Sequence, residues 1–146
     1  MTKRAVVEGA RRAVARGATW QRLCTAASEL PGVEQGTSYR TPSLHVRKKL
    51  LARLREDAAT VAIRIDLSDR DVILEVDPNA FFLTDHYRPY PWVVMRLAQV
   101  HHAAAMELLE QAWRRVAPQR LVTEYDASGS DGGTRRVQSR ADGQRR

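Results

Sequence analysis

The sequence predicts an α+β fold, an antiparallel β-sheet with helices packed on one face, in the order α-β-β-β-α-β-β-α. Three observations predict it. Between residues 43 and 65 apolar and polar residues alternate with a period of two, and the breaks are short. Short breaks mean antiparallel hairpins, because a parallel crossover needs a dozen or more residues. Around residues 103–116 the period changes: Ala105, Leu108, Leu109, Ala112, Trp113 and Val116 follow one helical face. Finally, the two periods follow one another within a single chain of 146 residues, the size of one domain with a substantial core.

Taken in order, Thr19 is a plausible N-cap for a helix carrying Trp20, Leu23, Cys24, Ala27 and Leu30 on one side, and Pro31-Gly32 ends it. Leu44 and Val46 then alternate with Ser43, His45 and Arg47. Leu50, Ala52 and Leu54 alternate with Lys49, Leu51, Arg53 and Arg55, and Val61, Ile63 and Ile65 alternate with Thr60, Ala62 and Arg64. The breaks fall at Lys48 and at Glu56-Asp57. Ser68 with Asp71 reads as a capping-box-like start of a helix that Pro78 closes. Ala80–Leu83 and Trp92–Leu97 read as strands, separated by a loop stiffened by Pro89 and Pro91. The long helix follows, and Pro118 can start a short further helix through Tyr125.

Composition narrows the chemistry. Apolar residues make up 43% and charged residues 28%, a balance that suits a soluble domain and leads us to expect a cytoplasmic protein. No apolar run reaches the length of a membrane span. Cys24 is the one cysteine, so no intrachain disulfide and no cysteine-based zinc site can form, and on an apolar helix side it reads as a small buried thiol.

The formal charge is +7, and its placement matters more than its sum. Residues 1–16 and 127–146 carry the whole excess, while 17–126 balances. Residues 1–18 form a basic extension whose Val6, Val7, Ala10, Ala13 and Val14 fall on one helical side, read as an extra helix docked on the domain. Residues 19–126 form the domain. Residues 127–146, poor in apolar groups, read as a disordered basic tail.

Within the neutral domain, alternation predicts a polarised surface. If Leu44, Val46, Leu50, Ala52, Leu54, Val61, Ile63 and Ile65 face the helices, then Arg47, Lys49, Arg53, Arg55 and Arg64 face outward with Lys48 at a hairpin tip. Such cations neutralise backbone phosphates, or equally keep a sheet from pairing edge to edge. Tyr87, Tyr90 and Trp92, with Arg88 between them, could form a stacking ledge for bases or a small ligand. Packing of these rings onto the core is the simpler expectation.

The blocks LPGVEQGTSYRTPSLHVRKKLLARLRE, DLSDRDVILEVDPNAFFLTDHY, YPWVVMRL and AWRRVAPQRLVTEYD resemble the MmcQ/YjbR family of bacterial proteins over residues 19–126. The resemblance implies a fold like that of secretion chaperones, and members are commonly described as DNA-binding proteins with a double-wing motif. It makes the hairpin Leu44–Leu54 a wing. Lys48 and Arg40 stand where the family typically has glycine, which leaves the turn type open. Leu51 stands where relatives often carry an aromatic ring.

No enzyme signature competes. There is no P-loop, GxGxxG or HExxH spacing. Ser43 and His45 share a strand face, with Asp66 or Asp85 as imaginable third members, but no nucleophile elbow accompanies them. Asp66, Asp69 and Asp71 lack the glycine and distal glutamate of a calcium loop and suit helix capping. His101 and His102 read as helix-start residues. The expectation is a non-enzymatic DNA-binding protein without cofactor or metal, contacting phosphates through Arg47, Lys48, Lys49, Arg53, Arg55 and Arg64. Two alternatives stand beside it: docking of an acidic protein partner on the same face, and a small-molecule sensor built on the Tyr87–Trp92 loop.

Overall fold

A computed structural model describes residues 17–131. The amphipathic segment 1–16 and residues 132–146 of the basic tail lie outside the described residues. The elements are α1 (Trp20–Ala27), β1 (Val33–Ser38), β2 (Thr41–Val46), β3 (Lys49–Leu54), β4 (Thr60–Arg64), α2 (Leu67–Val76), β5 (Phe81–Phe82), β6 (Trp92–Arg96), α3 (His102–Val116) and α4 (Gln119–Asp131). The strands form one antiparallel sheet in the order β1-β2-β3-β4-β6-β5. The fold is α+β, as the two periods require. No helix of the described residues is long and apolar enough to cross a membrane.

The caps and the core explain the layering. Thr19 caps α1, its hydroxyl accepting from the Arg22 N–H at 3.1 Å. Leu23, Cys24 and Ala27 of α1 and Ala105, Leu109, Ala112 and Trp113 of α3 are buried with Leu44, Val46, Ala52, Val61, Ile63, Val93 and Met95 of the sheet. Fully buried, Trp113 donates its indole N–H to the Pro31 carbonyl at 2.8 Å and so ties α3 to the end of α1. Gly32 follows with φ +80, and a Cβ there would meet Leu121 Cδ1 of α4 at 2.8 Å. Only glycine suits both the backbone and the space. Arg114 holds α4 on α3 by pairing with Asp126 of α4 at 2.7 Å, while Glu110 of its own helix pairs with it at 2.9 Å.

Three local expectations differ from the structure. Residues 33–38 form an additional edge strand that the sequence does not announce, because Glu34–Ser38 is almost wholly polar. The cap of α2 is Asp66 rather than Ser68, whose hydroxyl instead donates to the Asp66 carboxylate at 2.6 Å. The last helix continues past Tyr125 to Asp131, into the segment expected to be disordered.

The largest difference lies in β3. A bulge sets Leu44 opposite Ala52 but His45 opposite Leu50, so Leu51 is an extra residue. Leu51, expected outward, is fully buried in the core. Leu50, expected inward, lies on the outer face with its partner His45. Lys49 pairs with core-facing Val46 and therefore sits at the exposed rim of the helix side, not on the outer face.

Candidate functional site

Two tight turns flank β2. Ser38 pairs with Thr41 across Tyr39-Arg40, and Val46 pairs with Lys49 across Arg47-Lys48. All four turn residues have positive φ: 52 and 69 in the first turn, 51 and 71 in the second. Paired positive φ marks the type I′ hairpin turn, whose twist matches that of the strands. The turn positions where the resemblance implies glycine, Arg40 and Lys48, thus keep a glycine-like backbone while carrying arginine and lysine.

The six candidate phosphate contacts do not share one face, which corrects the expected platform. Arg47, Lys48 and Lys49 are exposed at the β2–β3 tip and make no ion pair among the described residues. Arg53 lies about 13 Å further along β3 at the usual strand rise. It is 5% exposed. Its guanidinium donates to the Ser38 carbonyl at 3.3 Å and the Tyr87 hydroxyl at 3.0 Å, pairs with Glu56, and lies 5.1 Å from the centre of the Tyr39 ring. Arg55 is half-buried and donates to Thr60 Oγ1 at 3.1 Å. Arg64 donates to the Leu50 carbonyl at 2.9 Å and stacks on Trp92 at 5.0 Å. Burial pulls its pKa down. Periodicity locates the arginines on strands, but it cannot show that a distant loop has claimed them.

That loop is the Tyr87–Trp92 region, and it covers part of the face expected to be open. Arg70 of α2, 8% exposed, holds it by donating to the carbonyls of Tyr90 at 2.7 Å, Trp92 at 3.2 Å and Arg88 at 3.2 Å. The sequence reading missed Arg70, since one arginine on a helix with a mixed pattern gives no sign of burial. Tyr87 packs against Trp92, with ring centres 6.2 Å apart, and Tyr90 stays 54% exposed. The rings neither vanish into the core nor form a free ledge. Together with Leu50 and Ala62 they line a groove of about 250 Å³ over the sheet. A second cavity of about 300 Å³ adjoins it, sharing Tyr39, Arg53, His86 and Tyr87 and adding Arg55, Glu56 and Thr84.

The turn Glu56–Ala59 closes this end. The backbone N–H bond at Glu56, reinforced by Arg53, holds its carboxyl below the usual range against a smaller opposing effect of burial. Burial works to raise Asp57, but the N–H groups of Ala59 and Thr60 and the Thr60 hydroxyl, each 2.9 Å away, hold it low.

The histidines and serines take structural places. His101 caps α3, its Nδ1 accepting from the Ala103 N–H at 3.2 Å. His102 Nδ1 is buried without a partner among the described residues, and burial, then Arg22 and His101, lower its pKa. Ser43 Oγ lies 3.4 Å from His45 Nδ1. Neither expected carboxylate joins them: Asp66 engages Ser68 and Arg115, and Asp85 lies beside Arg88 in solvent. Cys24 is buried, which pushes its thiol pKa up. Among the described residues no three His, Cys, Asp or Glu side chains gather in a metal-binding group.

Comparison with known proteins places this architecture. A solved structure, the Deinococcus radiodurans protein DR2400 with its DUF419 domain, superposes with a TM-score of 0.64 at 17% identity, over 83% of this chain and 98% of that one. At that identity the likeness is one of fold. The uncharacterized proteins Rv2570 of Mycobacterium tuberculosis and Mb2600 of Mycobacterium bovis are each 32% identical over 69 residues, 45% of this chain and 54% of theirs. The chain thus spans about half the length of these curated relatives. The YjbR family model matches residues 28–115, from the end of α1 through most of α3, and so includes every strand and both turns. The chain belongs to the YjbR family.

Proposed function

We propose that this protein binds DNA without catalysing a reaction, through phosphate contacts made by the β2–β3 hairpin. The observation that carries the reading is the tip itself. Arg47, Lys48 and Lys49 are consecutive, exposed and free of ion pairs among the described residues, at the turn between β2 and β3. Unpaired cations on a narrow hairpin can reach a phosphate backbone without losing an internal partner. Arg64 adds a half-buried charge beside Trp92, whereas Arg53 is committed to the interior. The resemblance to proteins described as double-wing DNA binders supports the same hairpin. A cytoplasmic site of action goes with this reading.

The test is the salt dependence of binding to a labelled mixed-sequence duplex, read by fluorescence anisotropy with the full chain. Replacing Arg47, Lys48 and Lys49 by glutamine should reduce the slope of log K against log salt by up to about 2.7, since each phosphate contact contributes about 0.9. A second variant replaces the five arginines of 132–146 by glutamine. If only that variant changes the slope, the hairpin reading fails. Binding of poly-glutamate with no binding of duplex would assign the same cations to an acidic protein partner.

A further inference from the structure

We propose that the cleft between the outer face of the sheet and the loop preceding β6 is a binding site for a small ring-bearing anion, its charge carried by a carboxylate or a phosphate. Its residues are distinct from the hairpin tip, and the proposal does not depend on DNA binding. Four observations converge on it. The first is charge. The cavity of about 300 Å³ presents two guanidiniums, Arg53 and Arg55, against one lining carboxylate, Glu56. The Arg53 side chain is 6% exposed, whereas Glu56 is 69% exposed. A buried cation needs a counter-charge, and here that charge comes from a solvent-exposed turn residue. A ligand anion can take its place on Arg53 while the bonds to Ser38 and Tyr87 stay intact.

The second observation is Tyr39. It holds φ 52, an unusual conformation for a bulky residue, and its ring remains 73% exposed. The type I′ turn fixes that backbone, and it sets the exposed ring over Arg53 at the cleft mouth. Third, Thr84 lines the same cavity, and its buried hydroxyl has no hydrogen-bond partner among the described residues, so a small rotation toward the cavity would let a ligand oxygen satisfy it. Fourth, the adjoining groove, which Arg53 also lines, adds apolar and aromatic surface from Leu50 and Ala62 on the sheet and Tyr87 and Trp92 beside them. Volumes of about 300 and 250 Å³ admit one or two rings with an anionic substituent.

The experiment titrates the full chain with adenosine 5′-monophosphate as the phosphate probe and indole-3-acetate as the carboxylate probe. Adenosine and indole serve as neutral controls, and amide shifts are followed by NMR. At least one anion should bind about tenfold more tightly than its neutral control, with shifts at Tyr39, Arg53, Thr84 and Tyr87. Which anion binds assigns the phosphate or the carboxylate class, and either supports the site. Glu56→Gln, which removes the resident competitor, should tighten binding by about threefold or more. Tyr39→Ala should weaken it by a similar factor, and the hairpin-tip variant should leave it unchanged. Thermal denaturation checks that each variant is folded. The proposal is overturned if neither anion binds at about millimolar concentration, if the shifts map to the hairpin tip, or if both Glu56→Gln and Tyr39→Ala leave the affinity as it was.

Discussion

The two turns of the β1–β2–β3 meander have the same length and the same positive-φ backbone, yet they lead to opposite ends of the chemistry. At Tyr39-Arg40 the neighbouring cation, Arg53, is buried under a ring and shared among a carbonyl, a phenol and a carboxylate. At Arg47-Lys48 the cations stand in water with no partner among the described residues. The backbone therefore does not decide whether a hairpin charge is structural or available. Position decides it: Arg40 on the first turn is exposed and without an ion pair among the described residues, as Arg47 and Lys48 are on the second, whereas Arg53 on the strand is claimed by Glu56 and by the loop between β5 and β6. Charge counted along strands overstates the free surface by the arginines such a loop absorbs.

The comparison is broken most forcefully at Arg53. Arg53→Met takes its donor from the Tyr87 hydroxyl, leaves the Ser38 carbonyl to the Thr41 hydroxyl, and should cost about 1–3 kcal/mol in urea denaturation. A loss under about 0.5 kcal/mol would mean that this end holds its cation no more firmly than the tip does. Next come the turns themselves. Arg40→Gly and Lys48→Gly each relieve a left-handed side-chain residue and should stabilise by about 0.5–1 kcal/mol. Only Lys48→Gly should also lower the DNA salt slope, by about 0.9.

Acid separates the two ends in a third way. The carboxyls of Glu56 and Asp57 are held below their ordinary values in the folded chain. Their contribution is therefore fully present above the unfolded value of about 4 and is lost as pH falls through the lower folded value. The melting temperature should drop on acidification below about pH 4. Paired Glu56→Gln and Asp57→Asn changes should flatten that drop, and a drop unaltered by them would place the acid-sensitive groups elsewhere. The smallest effect is expected at the tip: alanine at Arg47, Lys48 and Lys49 together should leave stability within about 0.5 kcal/mol. A larger loss would show that those side chains have internal work.

Much of the fold was legible because its signals are local. Thr19, Pro118 and the spacing from Ala105 to Val116 act within a few residues, and they set α1, α4 and α3 where the pattern puts them. β1 was not legible, since an edge strand buries little and Glu34–Ser38 has no apolar alternation to show. The bulge was hidden because Lys49–Leu54 holds two adjacent leucines, and either can be counted inward. Part of the site was visible as residue type, in the tip cations and the ring-rich loop. Its assembly was not visible, because the contacts of Arg53 with Tyr87 and of Arg70 with the Tyr90 carbonyl span long stretches of chain.

The extra residue in β3 also ties the β2–β3 turn to the hydrophobic interior. Bulges bend a strand and sharpen its twist, and here the bulged residue, Leu51, is anchored in the core just after the chain leaves the turn at Lys49. A smaller or larger side chain at Leu51 should therefore shift the backbone that carries Arg47 and Lys48 without touching either, so the proposed hold on a polyanion would be open to adjustment from a position that never meets it.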